Sequence, residues 1–223
     1  MFAFDGRTVV VTGATGALGA AVAGAFAEAG ATVVGVAHSE PAAGARVAGV
    51  RYTAVDLTDD AQVASFFDGL DRPWAVAHTV GGYAGATPLS KLAPGELSQQ
   101  LTLNLTTSAL ITKHALRLMQ PAGAGRIVLT ASRSATVTAG AGFAYSVSKL
   151  GVLHLTRMAA EEVAGTGVTV NCVVPSIIDT PANRASMPRA DHAGWPKPAD
   201  VARSYLYLAA PDSGLVNGAT LPV

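Results

Sequence analysis

Short runs rich in β-branched residues alternate along the chain with longer, alanine-rich segments whose apolar positions recur at helical spacing. This alternation is typical of βαβ units, in which a helix connects two parallel strands. The pattern predicts strands at residues 8–12, 32–36, 50–55, 75–78, 126–131 and 168–174, and helices at residues 17–29, 60–69, 101–119, 145–164 and 198–208. Because such crossovers are right-handed, we expect an α/β fold with a doubly wound parallel sheet and helices on both faces.

Length, composition and charge narrow the class of protein. A chain of 223 residues suits one domain, residues 1–223, because a core of this size buries most of its apolar surface without splitting. Half of the residues are hydrophobic and 13% are charged, a balance that fits strands covered on both faces. The net charge is zero, so we expect neither nucleic acid nor a membrane surface as a partner.

Two further features bear on the cellular location of the protein and on the role of a long loop. Asp5 and Arg7 precede any long apolar run, and the next apolar run is interrupted at Gly13. This fits neither a signal peptide nor a spanning helix, so we expect a cytoplasmic protein. Residues 175–198 form a long connection rich in proline, and connections of this length are usually functional lids or contain short helices of their own. We expect this segment to close over a substrate.

The first predicted strand runs directly into a glycine-rich turn and then into a helix. Gly13 and Gly16 are expected nearest to a pyrophosphate, because glycine lets the main chain approach the anion and the first amides of the helix donate to it. Gly19 is expected to let the helix pack closely, and Thr15 and Leu18 are further predicted cofactor contacts. The turn predicts a Rossmann-type dinucleotide site; a purely structural turn is the alternative.

The residues after the second predicted strand bear on which dinucleotide binds. Enzymes that prefer NAD usually place an acidic residue there to hold the ribose hydroxyls. Ala37 occupies this position and His38 and Ser39 follow it, so we expect room for the ribose phosphate of NADPH. NAD is the alternative if the strand ends later and Glu40 takes the acidic position. For His38 the alternative is a solvated residue at the strand end with no role in binding.

Asp56 and Leu57 follow the third predicted strand at the same edge of the sheet. We expect them near the adenine of the cofactor. The alternative is helix initiation, because Thr58, Asp59 and Asp60 have the composition of a helix cap.

The candidate catalytic residues lie in the second half of the chain. Tyr145 and Lys149 are four residues apart in a predicted helix, so both side chains emerge on one face. A lysine ammonium favours the phenolate, so we expect it to lower the pKa of the tyrosine toward a pH where it exchanges a proton. Ser132 follows the fifth predicted strand at the carboxyl edge, where open α/β sheets bind ligands, and is expected to hold a substrate oxygen.

Four features together make the whole chain resemble the short-chain dehydrogenase/reductase superfamily. They are the glycine turn opening at Thr12, Asn104 between two leucines, Ser132 with the run Tyr145-Ser-Val-Ser-Lys149, and the run from Pro175 to Pro181. The resemblance implies an oxidoreductase that uses NADP, with NAD as the alternative, and acts on a small molecule. It implies Tyr145 as general acid/base, Ser132 as the carbonyl anchor, and Lys149 as pKa modifier and ligand of the nicotinamide ribose.

The resemblance extends to other residues and to assembly. It implies that Asn104 supports a water-linked proton relay and that Ile178 and Thr180 hold the carboxamide. Val80 and Gly81, which follow the fourth predicted strand, are expected cofactor contacts. Relatives commonly pair the helices predicted at residues 101–119 and 145–164 across subunits, so we expect a homodimer or homotetramer.

Two stretches bear on the substrate. Residues 80–85 and 179–188, with Trp195 beyond them, are similar to dihydropteridine reductases, which reduce a quinonoid dihydropterin. Those enzymes carry an acidic residue after the second strand and lack the serine, whereas this chain has Ala37 and Ser132, so a ketone or aldehyde is the equal alternative. Candidate pocket residues are Tyr83, Arg133, Phe143, Met187 and Trp195.

Two alternatives come from other functional classes. A catalytically silent, dinucleotide-sensing regulatory protein would keep the cofactor site, but the complete set of Ser132, Tyr145 and Lys149 argues against it. A serine hydrolase would need a G-x-S-x-G turn around its nucleophile, which Ser132 lacks. The spacing of histidine, cysteine and carboxylate residues indicates no metal site.

Overall fold

A computed structural model describes residues 2–137 and 142–223 and contains a seven-stranded sheet. The strand order is β3-β2-β1-β4-β5-β6-β7, and every neighbouring pair is parallel. The strands are β1 (Thr8–Thr12), β2 (Thr32–Ala37), β3 (Val50–Ala54), β4 (Ala75–His78), β5 (Gly125–Thr130), β6 (Val168–Val174) and β7 (Thr220–Pro222). The expected doubly wound parallel sheet is confirmed.

Helices cover both faces of the sheet. They are α1 (Ala17–Glu28), α2 (Asp60–Asp68), α3 (Glu96–Gln100), α4 (Thr107–Ala122), α5 (Phe143–Glu162), α6 (Pro181–Ser186) and α7 (Pro198–Ala209). Helices α2, α4 and α5 contribute to one buried apolar cluster, and α1 and α7 contribute to the other. Within the described ranges, no helix combines the length and apolar character needed to cross a bilayer.

Each strand supplies alternate side chains to the two apolar clusters. In β1, Val10 belongs to the cluster under α2, α4 and α5, whereas Val9 and Val11 belong to the cluster under α1 and α7. In β5, Ile127 belongs to the cluster under α2, α4 and α5, and Val128 belongs to the cluster under α1 and α7. Since both faces are covered, these strands read as continuous runs of valine, isoleucine and leucine, which is why their positions were predictable.

The structure departs from the predicted elements in three places. The helix predicted at residues 101–119 starts earlier, with α3, and passes through a π-helical turn at Leu101–Thr106 before α4 begins. The long connection at residues 175–198 contains the short helix α6. Strand β7 was not predicted, because its three residues are too few to show a hydrophobic period.

The strand order reverses between β1 and β4, and ligands of open α/β sheets bind in the crevice at such a point. Thr12 at the end of β1 pairs with His78 at the end of β4. The glycine turn after β1 and the segment after β4 therefore leave the sheet side by side. The segments after β5 and β6 lie along the same edge, because these strands are parallel to their neighbours.

Candidate active site

The glycine turn has a conformation that requires glycine at two positions. Gly13 follows β1 with a positive φ of 70°, which L-residues with a Cβ rarely adopt. A Cβ at Gly19 would lie 2.1 Å from the carbonyl oxygen of Gly13, so the first turn of α1 packs directly on the glycine turn. Gly16 is the N-cap of α1 and is exposed, as is Thr15, whereas Leu18 is half-buried and packs against the core. This cradle fits a pyrophosphate at the amino end of α1.

The predicted adenosine end of the site lies at the ends of β2 and β3. Ala37 is the last residue of β2 and is buried, and His38 and Ser39 follow it exposed to solvent. Hydrogen bonds from Thr58 lower the pKa of Asp56, and the charge of nearby His38 adds a smaller contribution. His38 and Asp56 therefore share one edge, as expected.

Leu57, which we expect near the adenine, is buried in the structure. Its side chain is 7% exposed and belongs to the apolar core. The side chain packs there because the chain turns inward between β3 and α2, so a contact of Leu57 with the cofactor would be limited to its main chain. Val80 also packs partly against this cluster, and Gly81 is exposed.

Tyr145 and Lys149 lie one turn apart in α5, but their environments differ. Lys149 is almost fully buried, and its Nζ donates a hydrogen bond of 2.9 Å to the carbonyl oxygen of Thr130 at the end of β5. Tyr145 is half-buried. Ser132 follows β5 and caps a 3-10 turn, its Oγ accepting from the amide (3.2 Å) and hydroxyl (3.0 Å) of Ser134. The Ser132 side chain also lies within hydrogen-bonding reach of Tyr145.

Burial controls the acid–base properties of this pair. Burial raises the pKa of the Tyr145 phenol; the Ser132 side chain acts in the opposite direction, and Tyr83 adds to the increase. Burial lowers the pKa of Lys149 to about 8, against a smaller effect of Cys172. The direction at Tyr145 is opposite to the one expected from the sequence. Desolvation of the phenolate is the largest cause of the shift, and the Lys149 Nζ lies 6.0 Å from the tyrosine ring centre.

Asn104 is fully buried in the π-helical turn and joins three parts of the site. Its Oδ1 accepts from the amide of Gly82 at 3.0 Å. Its Nδ2 lies 3.2 Å from the Gly82 carbonyl, 3.2 Å from Gln100 Oε1 and 3.1 Å from Ser148 Oγ. The Ser148 hydroxyl donates to the Tyr145 carbonyl at 2.7 Å. Asn104 is thus linked to the turn of α5 that carries Tyr145.

Gly81 lies between two of the predicted catalytic residues. A Cβ at this position would lie 2.7 Å from Asn104 Oδ1 and 2.7 Å from Lys149 Nζ. The structure therefore brings Asn104, Lys149 and the segment after β4 together. Sequence reasoning missed Gln100, Ser148 and Thr130, which hold Asn104 and Lys149 in place. Ser148 was detectable in principle, since it stands inside the run that joins Tyr145 to Lys149.

The segment after β6 places Ile178 and Thr180 at the same edge of the sheet. Thr180 is the N-cap of α6 and accepts from the amide of Asn183 at 3.1 Å. The Asn183 side chain donates back to the Ile178 carbonyl at 2.8 Å. Asp179 between them forms two hydrogen bonds with Arg184, of 2.5 and 2.8 Å. The base of the expected lid is therefore an ordered unit.

Among the candidate pocket residues, the structure places Tyr83 directly against Tyr145, with ring centroids 5.2 Å apart. Trp195 packs against His192 instead, at 4.4 Å. Arg133 is exposed and follows Ser132 in the 3-10 turn. In the two described ranges, no group of three or more histidine, cysteine, aspartate or glutamate residues has the geometry of a metal site.

Comparison with known proteins identifies the family. Residues 13–223 match the profile of the family described as enoyl-(acyl carrier protein) reductase. Over 99% of this chain and 96% of the relative, the sequence is 36% identical to cis-4-hydroxycyclohexanecarboxylate dehydrogenase from Sinomonas cyclohexanicum.

Solved structures agree with this match over nearly the whole chain. A short-chain type dehydrogenase/reductase from Mycobacterium ulcerans has a TM-score of 0.92 and 29% identity, with 99% of this chain and 89% of that chain covered. A protein from Beutenbergia cavernae, assigned as an NAD(P)-dependent gluconate 5-dehydrogenase, holds NADP at low occupancy. It has a TM-score of 0.87 and 28% identity, with 99% of this chain and 96% of that chain covered. The chain therefore belongs to the short-chain dehydrogenase/reductase superfamily of oxidoreductases.

Proposed function

We propose that this chain transfers a hydride between NADPH and the carbon of a carbonyl or hydroxyl group in a small molecule, with Tyr145 as general acid/base. The observation that supports this proposal is the grouping of a half-buried phenol, a buried ammonium and a serine hydroxyl at the carboxyl edge of the sheet. Such an arrangement suits proton exchange with one substrate oxygen.

The cofactor-binding residues of the proposal follow the crevice. The glycine turn, with Gly13, Thr15, Gly16 and Leu18, would hold the pyrophosphate. The adenosine end would lie against the residues after β2 and β3, and the nicotinamide end against those after β4 and β6 together with Tyr145 and Lys149. The residues assigned to the adenosine end are His38, Ser39, Asp56 and Leu57. Those assigned to the nicotinamide end, besides Tyr145 and Lys149, are Val80, Gly81, Ile178 and Thr180. When bound, the dinucleotide supplies or accepts the hydride.

Side chains of the protein bind the substrate oxygen and transfer the proton. Ser132 donates its hydroxyl hydrogen to the substrate oxygen, since its lone pairs already accept from Ser134. In reduction, Tyr145 gives its proton to the same oxygen; in oxidation it takes that proton back. Lys149 keeps positive charge near the phenol, and Asn104 supports a relay that restores the proton of Tyr145.

The cofactor preference rests on the end of β2. Ala37 offers no carboxylate to bind ribose hydroxyls, and the exposed His38 and Ser39 follow it as donors for a ribose phosphate. We therefore propose NADPH as the preferred cofactor, with NAD as the alternative.

For the substrate, we favour a ketone or the corresponding secondary alcohol. The relatives named above are dehydrogenases of a hydroxycyclohexanecarboxylate and, as assigned, of gluconate. A quinonoid dihydropterin is a second candidate, on the similarity of residues 80–85 and 179–188 and on Tyr83, whose ring offers a planar wall beside Tyr145.

The test combines a substrate screen with one substitution. Wild-type protein is assayed by absorbance with NADPH and NADH against ketones, quinones, β-ketoacyl thioesters and quinonoid dihydropterin. Tyr145→Phe should then lower turnover of the best substrate by roughly 100-fold or more while leaving NADPH binding nearly unchanged. Tyr207→Phe, an exposed tyrosine on α7, is the matched control. Normal turnover by Tyr145→Phe would overturn the assignment, and cofactor binding with no turnover of any substrate would favour the sensing protein.

We further propose assembly into a homodimer or homotetramer through the π-helical turn, α4 and α5. Large apolar side chains are exposed along this surface, at Leu103 (36%), Val147 (37%), Leu150 (53%) and Met158 (60%). Exposed apolar side chains of this size fit an interface between subunits. Light scattering should give a multiple of the 22.4 kDa chain mass, and Leu150→Glu should reduce it. Only monomer in the wild type would contradict this proposal.

A further inference from the structure

His78 is a buried histidine at the centre of the site for which the proposed chemistry has no use. It ends β4, and its side chain is completely inaccessible to solvent. Its Nδ1 lies 2.7 Å from Thr12 Oγ1 in β1, and its Nε2 lies 3.3 Å from Thr107 Oγ1 in α4. The imidazole therefore bridges the switch point of the sheet and the helix that follows the π-helical turn.

The direction of the hydrogen bonds around His78 follows from their partners. The Thr107 hydroxyl donates to the Leu103 carbonyl at 2.7 Å, so towards His78 it acts as an acceptor. Nε2 therefore carries the proton and Nδ1 accepts from the Thr12 hydroxyl. Burial, with a smaller effect of the Lys149 charge, lowers the pKa of His78 to about 3, which keeps the imidazole neutral. One tautomer satisfies both nitrogens.

The series of hydrogen bonds from Thr12 through His78 and Thr107 ends at the carbonyl of Leu103, the residue before Asn104. In the π-helical turn the carbonyls of Leu103 and Asn104 accept from hydroxyls one turn later, those of Thr107 and Ser108, at 2.7 and 2.6 Å. Turns of this kind are rare and often lie at functional sites, and here two of the carbonyls are held by side-chain hydroxyls. Thr12, His78, Thr107 and the Leu103 carbonyl thus form one directed series that fastens the turn to the sheet.

We infer that His78 is a positioning residue for Asn104: it ties the π-helical turn to β1 and β4, so that the Asn104 amide stays between Gly82 and Ser148. The Asn104 side chain is then held beside Lys149 and the turn of α5 that carries Tyr145. The inference rests on the proposed function only through the assigned relay role of Asn104. It assigns no contact between His78 and substrate or cofactor.

Two substitutions of His78 separate positioning from packing. Gln can place an amide N–H near the position of Nε2, whereas Leu cannot donate at all, although its size suits the buried site. His78→Leu should lower kcat about 10- to 100-fold, as small displacements of catalytic groups do, with KM and NADPH affinity within about 2-fold. His78→Gln should recover most of the lost kcat. Equal losses in both variants would overturn the inference.

Epistasis with Asn104 is the decisive measurement. If His78 acts through Asn104, then His78→Leu in an Asn104→Ala background should lower kcat by less than about 2-fold further, because coupled residues are not additive. Independent, multiplicative losses would overturn the inference, and so would full turnover by Asn104→Ala alone. Failure of the proposed function is distinct, since it would appear as normal turnover by Tyr145→Phe.

Two further variants control for effects of the substitutions on folding. Thr156→Val removes a buried hydroxyl that donates to the Val152 carbonyl in α5, outside the series, and should leave kcat unchanged. If His78→Leu does not fold, Thr107→Val breaks the same link from the other side and replaces it in both measurements. Thr107→Val should show the same kcat loss and the same dependence on Asn104; a kcat equal to wild type would overturn the inference.

Discussion

The aromatic rings of Tyr83 and Tyr145 meet edge to face, with centroids 5.2 Å apart and planes inclined by 85°. Tyr83 is 55% exposed and follows β4, whereas Tyr145 lies in the first turn of α5. The contact joins the segment that follows β4 to the first turn of α5. It also places a second phenol close enough to influence the first.

Tyr83→Phe should move the pH profile to lower pH. Burial is the main reason that the pKa of Tyr145 is raised, and Tyr83 contributes to the increase. Removing the Tyr83 hydroxyl therefore lowers the pKa of Tyr145. Alcohol oxidation, which needs the phenolate, should begin at lower pH, and carbonyl reduction, which needs the phenol, should also decline at lower pH. The measurement is kcat/KM against pH in both directions.

The phenylalanine variant keeps the ring contact, so the shift isolates the hydroxyl. Tyr207→Phe on α7 controls for a tyrosine lost elsewhere and should leave the profile unchanged. A midpoint that stays in place, or moves to higher pH in Tyr83→Phe, would contradict the electrostatic influence.

Much of the fold follows from the sequence because its strands are buried on both faces. β1 and β6 were predicted with their observed bounds, since Val-rich runs flanked by polar residues leave little choice of register. The glycine turn and the spacing of Tyr145 and Lys149 were likewise predictable, because local backbone and helical geometry determine them. The π-helical turn was not, since it keeps the apolar spacing of a helix.

The parts of the site that the sequence did not reveal depend on contacts between distant residues. The bond from Lys149 to Thr130 uses a main-chain carbonyl, which has no sequence signal. The bridge made by His78 reaches Thr12 in β1, 66 residues away, and Thr107 in α4, 29 residues away. The direction of the Tyr145 pKa shift was also unpredictable, because it depends on how deeply the phenol is buried.

Ala37→Asp should change the cofactor preference toward NADH. The carboxylate would stand at the end of β2 beside His38, near the carboxylate of Asp56, and would repel a ribose phosphate. We expect the ratio of kcat/KM for NADPH to that for NADH to fall by about 10-fold or more, which corresponds to roughly 1.4 kcal/mol. Ala37→Asn removes the charge from this test and should shift the ratio less. An unchanged ratio in Ala37→Asp would show that the ribose lies elsewhere.

Gly19→Ala should weaken both folding and NADPH binding. Its Cβ would lie 2.1 Å from the carbonyl oxygen of Gly13, and backbone on the turn must move to make room. Gly24→Ala in the same helix is the matched control, since its Cβ would meet only Val47 Cγ1, at 3.5 Å. There the better helix propensity of alanine should add about 0.5–1 kcal/mol of stability. Melting temperature and NADPH affinity should therefore both fall for Gly19→Ala. For Gly24→Ala the melting temperature should rise and the NADPH affinity should stay constant. Similar changes in the two variants would contradict the close packing at Gly19.

Lys149→Met should abolish turnover and yet relieve a cost to folding that depends on pH. Burial lowers the pKa of Lys149 to about 8 in the folded chain, whereas an unfolded lysine titrates at 10.5. The folded state thus disfavours the ammonium, a cost fully present below about pH 8 that disappears as the pH rises to 10.5. The stability of Lys149→Met relative to wild type should therefore decrease between pH 7 and pH 10, by an amount on the order of 2 kcal/mol.

Urea denaturation of both proteins at the two pH values checks this prediction. Loss of the bond to the Thr130 carbonyl lowers the stability of the variant at every pH, by about 1–3 kcal/mol, and so cancels in the difference between pH values. Lys91→Met, at an exposed position, controls for the substitution itself. A relative stability of Lys149→Met that is the same at pH 7 and pH 10, or that increases with pH, would show that the lysine is not held as a destabilised ammonium. In that case burial would not perturb the charge of Lys149 in the catalytic site.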